Sequence, residues 1–122
     1  MKTIICDIDG TIFKYVGGTP QVMNERVEPL PGVISQINRW EMEGCKIILI
    51  TGRRESLRKK TEHDLQRFGI PYDLLLMGYA DSGRVIINDE GSKVKAHAVS
   101  LKRDVGFKEY DWREVGLTKM KF

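Results

Sequence analysis

The sequence predicts an α/β fold, a Rossmann-like three-layer α/β/α sandwich around a mostly parallel sheet. Two observations lead there. The apolar runs Lys2–Cys6, Lys46–Ile50, Asp73–Met77 and Arg84–Asn88 are nearly unbroken in aliphatic residues, as strands buried on both faces of a parallel sheet are. Segments of helical spacing separate the first three runs, so the order reads β-α-β-α-β-β, and right-handed crossovers lay the helices against the sheet.

Each element has its own signal. After the first strand, residues Thr11 to Glu28 contain the pair Gly17-Gly18 and scattered β-formers, which predicts a hairpin or flap. Pro31 to Glu43 carries Val33, Ile34, Ile37, Trp40 and Met42 at roughly helical spacing and stops at Gly44. Glu55 to Phe68 reads as a second helix with Leu57, Leu65 and Phe68 on one side, ended by Gly69 and Pro71. Ala96 to Leu101 is a weaker fifth strand. The aromatics of the last segment, Phe107, Tyr110, Trp112 and Phe122, follow no period and leave open whether they pack on the core or on another subunit.

A chain of 122 residues has room for one domain with a proper core, so a single domain over 1–122 with a flap at about 11–28 is expected. No apolar run approaches the roughly 20 residues that span a bilayer, and the first residues lack the pattern of a secretory signal. No membrane partner and a cytoplasmic location are the expectations that follow. Cys6 and Cys45 are too few to staple a domain, and each borders an apolar run, which predicts free thiols. The net charge of +3 is small and argues against a nucleic-acid partner, which needs many phosphate contacts.

The chemistry concentrates in Ile4-Ile5-Cys6-Asp7-Ile8-Asp9-Gly10-Thr11. Two carboxylates two positions apart leave the end of a strand and point the same way, at the sheet edge where ligands of parallel sheets bind. Like charges this close repel unless a cation lies between them, and Mg²⁺, hard and oxygen-seeking, is the simplest choice.

Asp7-Ile8-Asp9-Gly10-Thr11 after a hydrophobic strand resembles the first signature, Asp-x-Asp-Gly-Thr, of the haloacid dehalogenase (HAD) superfamily. The resemblance implies an HAD-like fold and an Mg²⁺-dependent phosphatase, a phosphomonoester hydrolase. In it Asp7 attacks phosphorus to form an aspartyl-phosphate, and Asp9 serves as acid and then base. Ile47-Ile48-Leu49-Ile50-Thr51-Gly52-Arg53 resembles the second signature. Thr51 is then a phosphate donor, Gly52 lets backbone N–H groups approach, and Arg53 is a cation within reach of the phosphate. Arg84-Val85-Ile86-Ile87-Asn88-Asp89-Glu90 resembles the fourth signature, which makes Asp89 the third metal ligand beside Asp7 and Asp9.

The family lysine of the third signature is missing from Met77-Gly78-Tyr79-Ala80. Arg84 would start a strand whose far end carries Asp89, which at about 3.3 Å per residue puts it over ~10 Å from the site. Lys93 and Lys95, on the loop after Asp89, and Arg53, next to Thr51, are on the correct side of the sheet to replace it, with Lys93 the favoured substitute and Arg53 its rival. The resemblance runs from Lys2 to about Leu101 and leaves no room for a large cap. A capless member implies a homo-oligomer in which the flap and a neighbouring subunit close the site over a small phosphorylated substrate such as a sugar phosphate, or a site open to a bulkier one. The alternative is a non-catalytic or weakly active HAD-like binding domain, favoured by the missing lysine and opposed by the intact Asp7 and Asp9. A phosphoacceptor receiver domain fits less well, because Leu74-Leu75-Leu76-Met77-Gly78 has no aspartate at its end.

Overall fold

The computed structural model describes residues 2–79, 82–91 and 93–122. Three parallel strands lie in the order β1 (Thr3–Asp7), β2 (Lys46–Ile50), β3 (Leu74–Leu76), the first three strands the sequence predicts. Helix α2 (Val33–Met42) crosses from β1 to β2, and α3 (Arg58–Arg67), preceded by a 3₁₀ turn at Glu55–Leu57, crosses from β2 to β3. The architecture is α/β and Rossmann-like. Asp7 is in register with Ile50 and Ile50 with Leu76, so the carboxyl ends of all three strands share one edge.

Alternation within the strands separates the two faces of the sheet. Cys6, Ile47, Leu49 and Leu75 are buried on the face that unreversed right-handed crossovers give to both helices. The opposite row, Ile5, Ile48 and Leu74, is aligned across the three strands. Its outer members are 47 % and 53 % exposed, and no described helix covers it. Alternation puts the Asp7 side chain on the same open face as Ile5.

The fourth and fifth expected strands do not form in this structure. Val85 and Ile87 are 85 % and 89 % exposed, and residues 83–90 and 94–100 have no strand pairing. A β-branched run becomes a strand only when a neighbouring edge takes its backbone hydrogen bonds, and among the described residues β1 pairs only with β2. The flap also differs from a hairpin. Lys14 N donates to Glu28 O at 2.8 Å and Leu30 N to Ile12 O at 2.9 Å, closing an excursion that contains the short helix α1 (Thr19–Asn24). Val22 and Val27 are buried, so the excursion is packed down on the core.

The C-terminal segment packs on the core of its own chain. The Gln36 amide, fully buried on α2, donates to Thr118 O at 2.7 Å and accepts from Met120 N at 3.0 Å. Trp40 Nε1 donates to the same carbonyl at 2.9 Å. Trp112 then fills the centre of an aromatic cluster, with ring centroids 4.9 Å from Trp40, 4.9 Å from Phe107 and 4.7 Å from Tyr110. Gly106 permits this approach: its φ is +80°, and a Cβ there would lie 2.5 Å from Pro31 O. Trp112→Ala should destabilise the fold by about 3–5 kcal/mol, as expected for deleting a large buried aromatic, measured by urea unfolding.

Candidate active site

The site is built where β1 and β2 end. Ile8, Ile12 and Phe13 are fully buried, and Ile12 N and Phe13 N both donate to Ile8 O, at 2.8 and 3.1 Å. This anchors the turn after β1 and leaves Asp7 and Asp9 at its surface. Gly10, with φ +80°, makes the reversal, in a backbone region that residues with a Cβ rarely adopt. Thr11 Oγ1 donates to Asp7 Oδ2 at 3.2 Å.

Each carboxylate has its own guanidinium. Arg53 Nε lies 3.2 and 3.0 Å from Asp9 Oδ1 and Oδ2, and Nη2 lies 2.7 Å from Oδ1. Arg53 Nη1 donates to Thr61 Oγ1 at 3.0 Å, so the buried arginine is held from both ends. Thr51 Oγ1 accepts from Arg53 N at 3.1 Å and stands 3.5 Å from Asp9 Oδ2. Gly52 is exposed beside them. Asp7 Oδ1 receives Arg84 Nη1 at 3.1 Å, a pair whose side chains remain 34 % and 38 % exposed.

One expectation is corrected by this arrangement. Arg84 lies on Asp7 rather than ~10 Å away, because residues 83–90 form no strand and the fixed rise per residue of a strand does not apply to them. Arg53 directs its side-chain donors at Asp9 and Thr61. Lys93 and Asp89 are both exposed, with Asp89 Oδ1 accepting from Gly91 N at 3.1 Å. Among the described residues Lys93 makes no ion pair with Asp7 or Asp9, which pair with Arg84 and Arg53. No three potential metal-ligating side chains come together among the described residues.

The sequence signal for Arg84 was its charge alone; nothing in its spacing indicated the contact. Cys6 lies next to Asp7 in β1, and burial pushes its thiol up to about 12. It stays protonated and inert near neutral pH.

The oxygen donors suit Mg²⁺. An ionised carboxylate offers about four lone-pair sites, and among the described residues Asp7 uses two, toward Thr11 and Arg84. Mg²⁺ is commonly held by one or two carboxylates, with water and substrate phosphate completing its shell. Asp9 has less capacity to spare, because Arg53 and Thr51 already engage both of its oxygens.

Residues 20–109 match the family described as HAD superfamily, subfamily IIIB (Acid phosphatase). The chain belongs to this superfamily. The matched region holds Thr51, Gly52, Arg53 and Arg84, while Asp7 and Asp9 precede it and rest on their own motif and geometry. Among solved structures, a chain of the Pnkp1/Rnl/Hen1 complex is 33 % identical with a TM-score of 0.54 over 69 % of this chain and 30 % of its own length. A chain in a structure of the Pnkp1/Rnl/Hen1 RNA repair complex is also 33 % identical, with a TM-score of 0.57 over 68 % of this chain and 27 % of its own. This HAD chain thus spans less than a third of those proteins. A Vibrio cholerae protein of known crystal structure is 25 % identical, with a TM-score of 0.52 over 71 % of this chain and 80 % of its own. None of the curated proteins is a significant match.

The buried guanidinium gives this HAD site a measurable signature. Asp9→Ala should destabilise the protein by about 3–5 kcal/mol, because it strands a buried charge. The double variant Asp9→Ala/Arg53→Met should recover most of that loss in the same urea titration. In native protein at pH 8 only one thiol, that of half-buried Cys45, should react promptly with a disulfide reagent, and Cys6 should follow after unfolding.

Proposed function

We propose that the chain is an Mg²⁺-dependent phosphatase that works through an aspartyl-phosphate on Asp7, with a small phosphorylated metabolite such as a sugar phosphate as substrate. The single observation that carries the reading is the pair of carboxylates at the end of β1, each held by its own arginine. The family match supports the class of reaction.

In this reading an Asp7 oxygen attacks phosphorus and the ester P–O bond breaks. Asp9, protonated when the cycle begins, gives its proton to the departing oxygen. Water then attacks the aspartyl-phosphate, Asp9 accepts its proton, and the Asp7 carboxylate is released with inorganic phosphate. Arg53 keeps Asp9 oriented for both transfers. Arg84 supplies the positive charge beside the nucleophile that the missing lysine supplies elsewhere in the family, and Thr51 and Gly52 provide donors to the phosphate. Mg²⁺, when bound, shields the charge that keeps a carboxylate from a phosphate. Asp7 would be its first ligand, with Asp9 beside it. In the same reading Asp89 would be the third metal ligand and Lys93 a further cation for the phosphate.

A second reading, a phosphorylated polynucleotide end as substrate, is favoured by the two similar chains from the Pnkp1/Rnl/Hen1 structures, one of them described as an RNA repair complex. The small net charge of +3 weighs against it.

With Mg²⁺ present, wild type should release phosphate from members of a panel of sugar phosphates and 3′-phosphorylated oligonucleotides, and the preferred member decides between the readings. Asp7→Asn should fold normally and lose more than about 90 % of the rate, over ~1.4 kcal/mol of barrier. Retention of most activity would exclude the covalent route. Arg84→Ala should slow the reaction by ~10²-fold, as removal of one preorganised donor does, and Lys93→Ala by far less. The opposite ranking would restore Lys93 as the substitute for the family lysine.

A further inference from the structure

Arg103 and Tyr15 form a second built feature at the rim of the same edge. The Arg103 guanidinium carbon stands 4.2 Å from the Tyr15 ring centroid. Its stem lies on the turn after Asp9, with Cγ 3.0 Å from where a Gly10 Cβ would be. The next residue ties the two together: Asp104 N donates to Gly10 O at 2.8 Å, and Asp104 Oδ1 accepts from Tyr15 N at 2.8 Å. Asp104 makes both bonds from φ +66°, in the left-handed region that residues with a Cβ seldom occupy. Such strain is tolerated where the surroundings over-determine it, often at ligand sites.

The consequence is an arginine fixed in place with its donors unspent. Arg53, Arg58, Arg84 and Arg113 direct theirs at carboxylates. Among the described residues no acceptor engages the Arg103 side chain, which is exposed and held only through its flat face and its stem. A guanidinium stacked on an aromatic ring keeps its N–H edge open and pre-aimed, which suits the bidentate geometry of phosphate.

We propose that Arg103 is a specificity-determining residue that binds a second phosphate group of the substrate, and that Tyr15 is its positioning residue. The inference rests on the reading of Asp7 as nucleophile and adds the class of substrate: a phosphomonoester bearing another phosphate nearby. A sugar bisphosphate offers that chemistry, and so does the penultimate phosphate of a 3′-phosphorylated oligonucleotide.

The test compares fructose 6-phosphate, fructose 1,6-bisphosphate and a 3′-phosphorylated dinucleotide, with p-nitrophenyl phosphate as a reporter of the chemical step. Arg103→Met, which keeps the packing stem, should raise KM at least tenfold for whichever two-phosphate compound wild type prefers. It should move KM for fructose 6-phosphate by less than about threefold. Arg103→Lys should restore part of the preference. Tyr15→Ala should raise the same KM with kcat unchanged, and Tyr15→Phe should restore it. An equal loss on all compounds, or no loss of preference, would overturn the role of Arg103 while leaving the nucleophile intact. Failure of wild type to hydrolyse p-nitrophenyl phosphate points instead at Asp7. In that case calorimetric binding of the same compounds decides the inference: a tenfold weaker affinity of Arg103→Met for the two-phosphate compounds alone supports it, and unchanged affinity overturns it.

Discussion

Two carboxylates leave the same strand end, and much of the site's construction is the neutralisation of that charge. The Arg53–Asp9 pair dominates because the arginine is buried. A guanidinium removed from water without a partner is costly, so Arg53 needs Asp9 as much as Asp9 needs Arg53. Thr61 on α3 and the backbone beside Thr51 complete the cage. The clamp therefore joins β1, the loop after β2 and α3 at the point where chemistry is expected.

That cage depends on register. Parallel pairing sets Asp7 opposite Ile50 and Ile50 opposite Leu76, so Thr51 and Arg53 leave β2 beside the acids of β1. The register is held from behind by the buried row of Ile47, Leu49 and Leu75 and by α2. The C-terminal segment secures α2 in turn, through Gln36, Trp40 and the aromatic cluster around Trp112. The last residues of the chain thus support the site from a distance.

The second arginine contact is of a different kind. Arg84 meets Asp7 through one oxygen in a half-exposed pair, so solvent screens it and little energy holds it there. The Arg53–Asp9 pair is the more buried of the two, and the Arg84–Asp7 pair the more exposed.

Sequence alone determined the elements whose signals are local. β1, β2, β3 and the two crossover helices lie within a few residues of where apolar runs and helix stops placed them, because such preferences are set within a short window of chain. The acids Asp7 and Asp9 and the Thr51-Gly52-Arg53 turn were legible for the same reason. Tertiary structure decided what depends on partners distant in the chain. Only the fold showed that Asp9, over forty positions away, receives the donors of Arg53. Arg84 could be placed far from the site only on the assumption of a strand, and Val85, Ile86 and Ile87 form none because no sheet edge receives them. The aromatic C-terminal segment has no period of its own, since its order comes from α2 and not from any repeating face. Local propensity acts through neighbours in the chain, whereas pairing, burial and charge compensation act through neighbours in space, and only the folded chain brings those together.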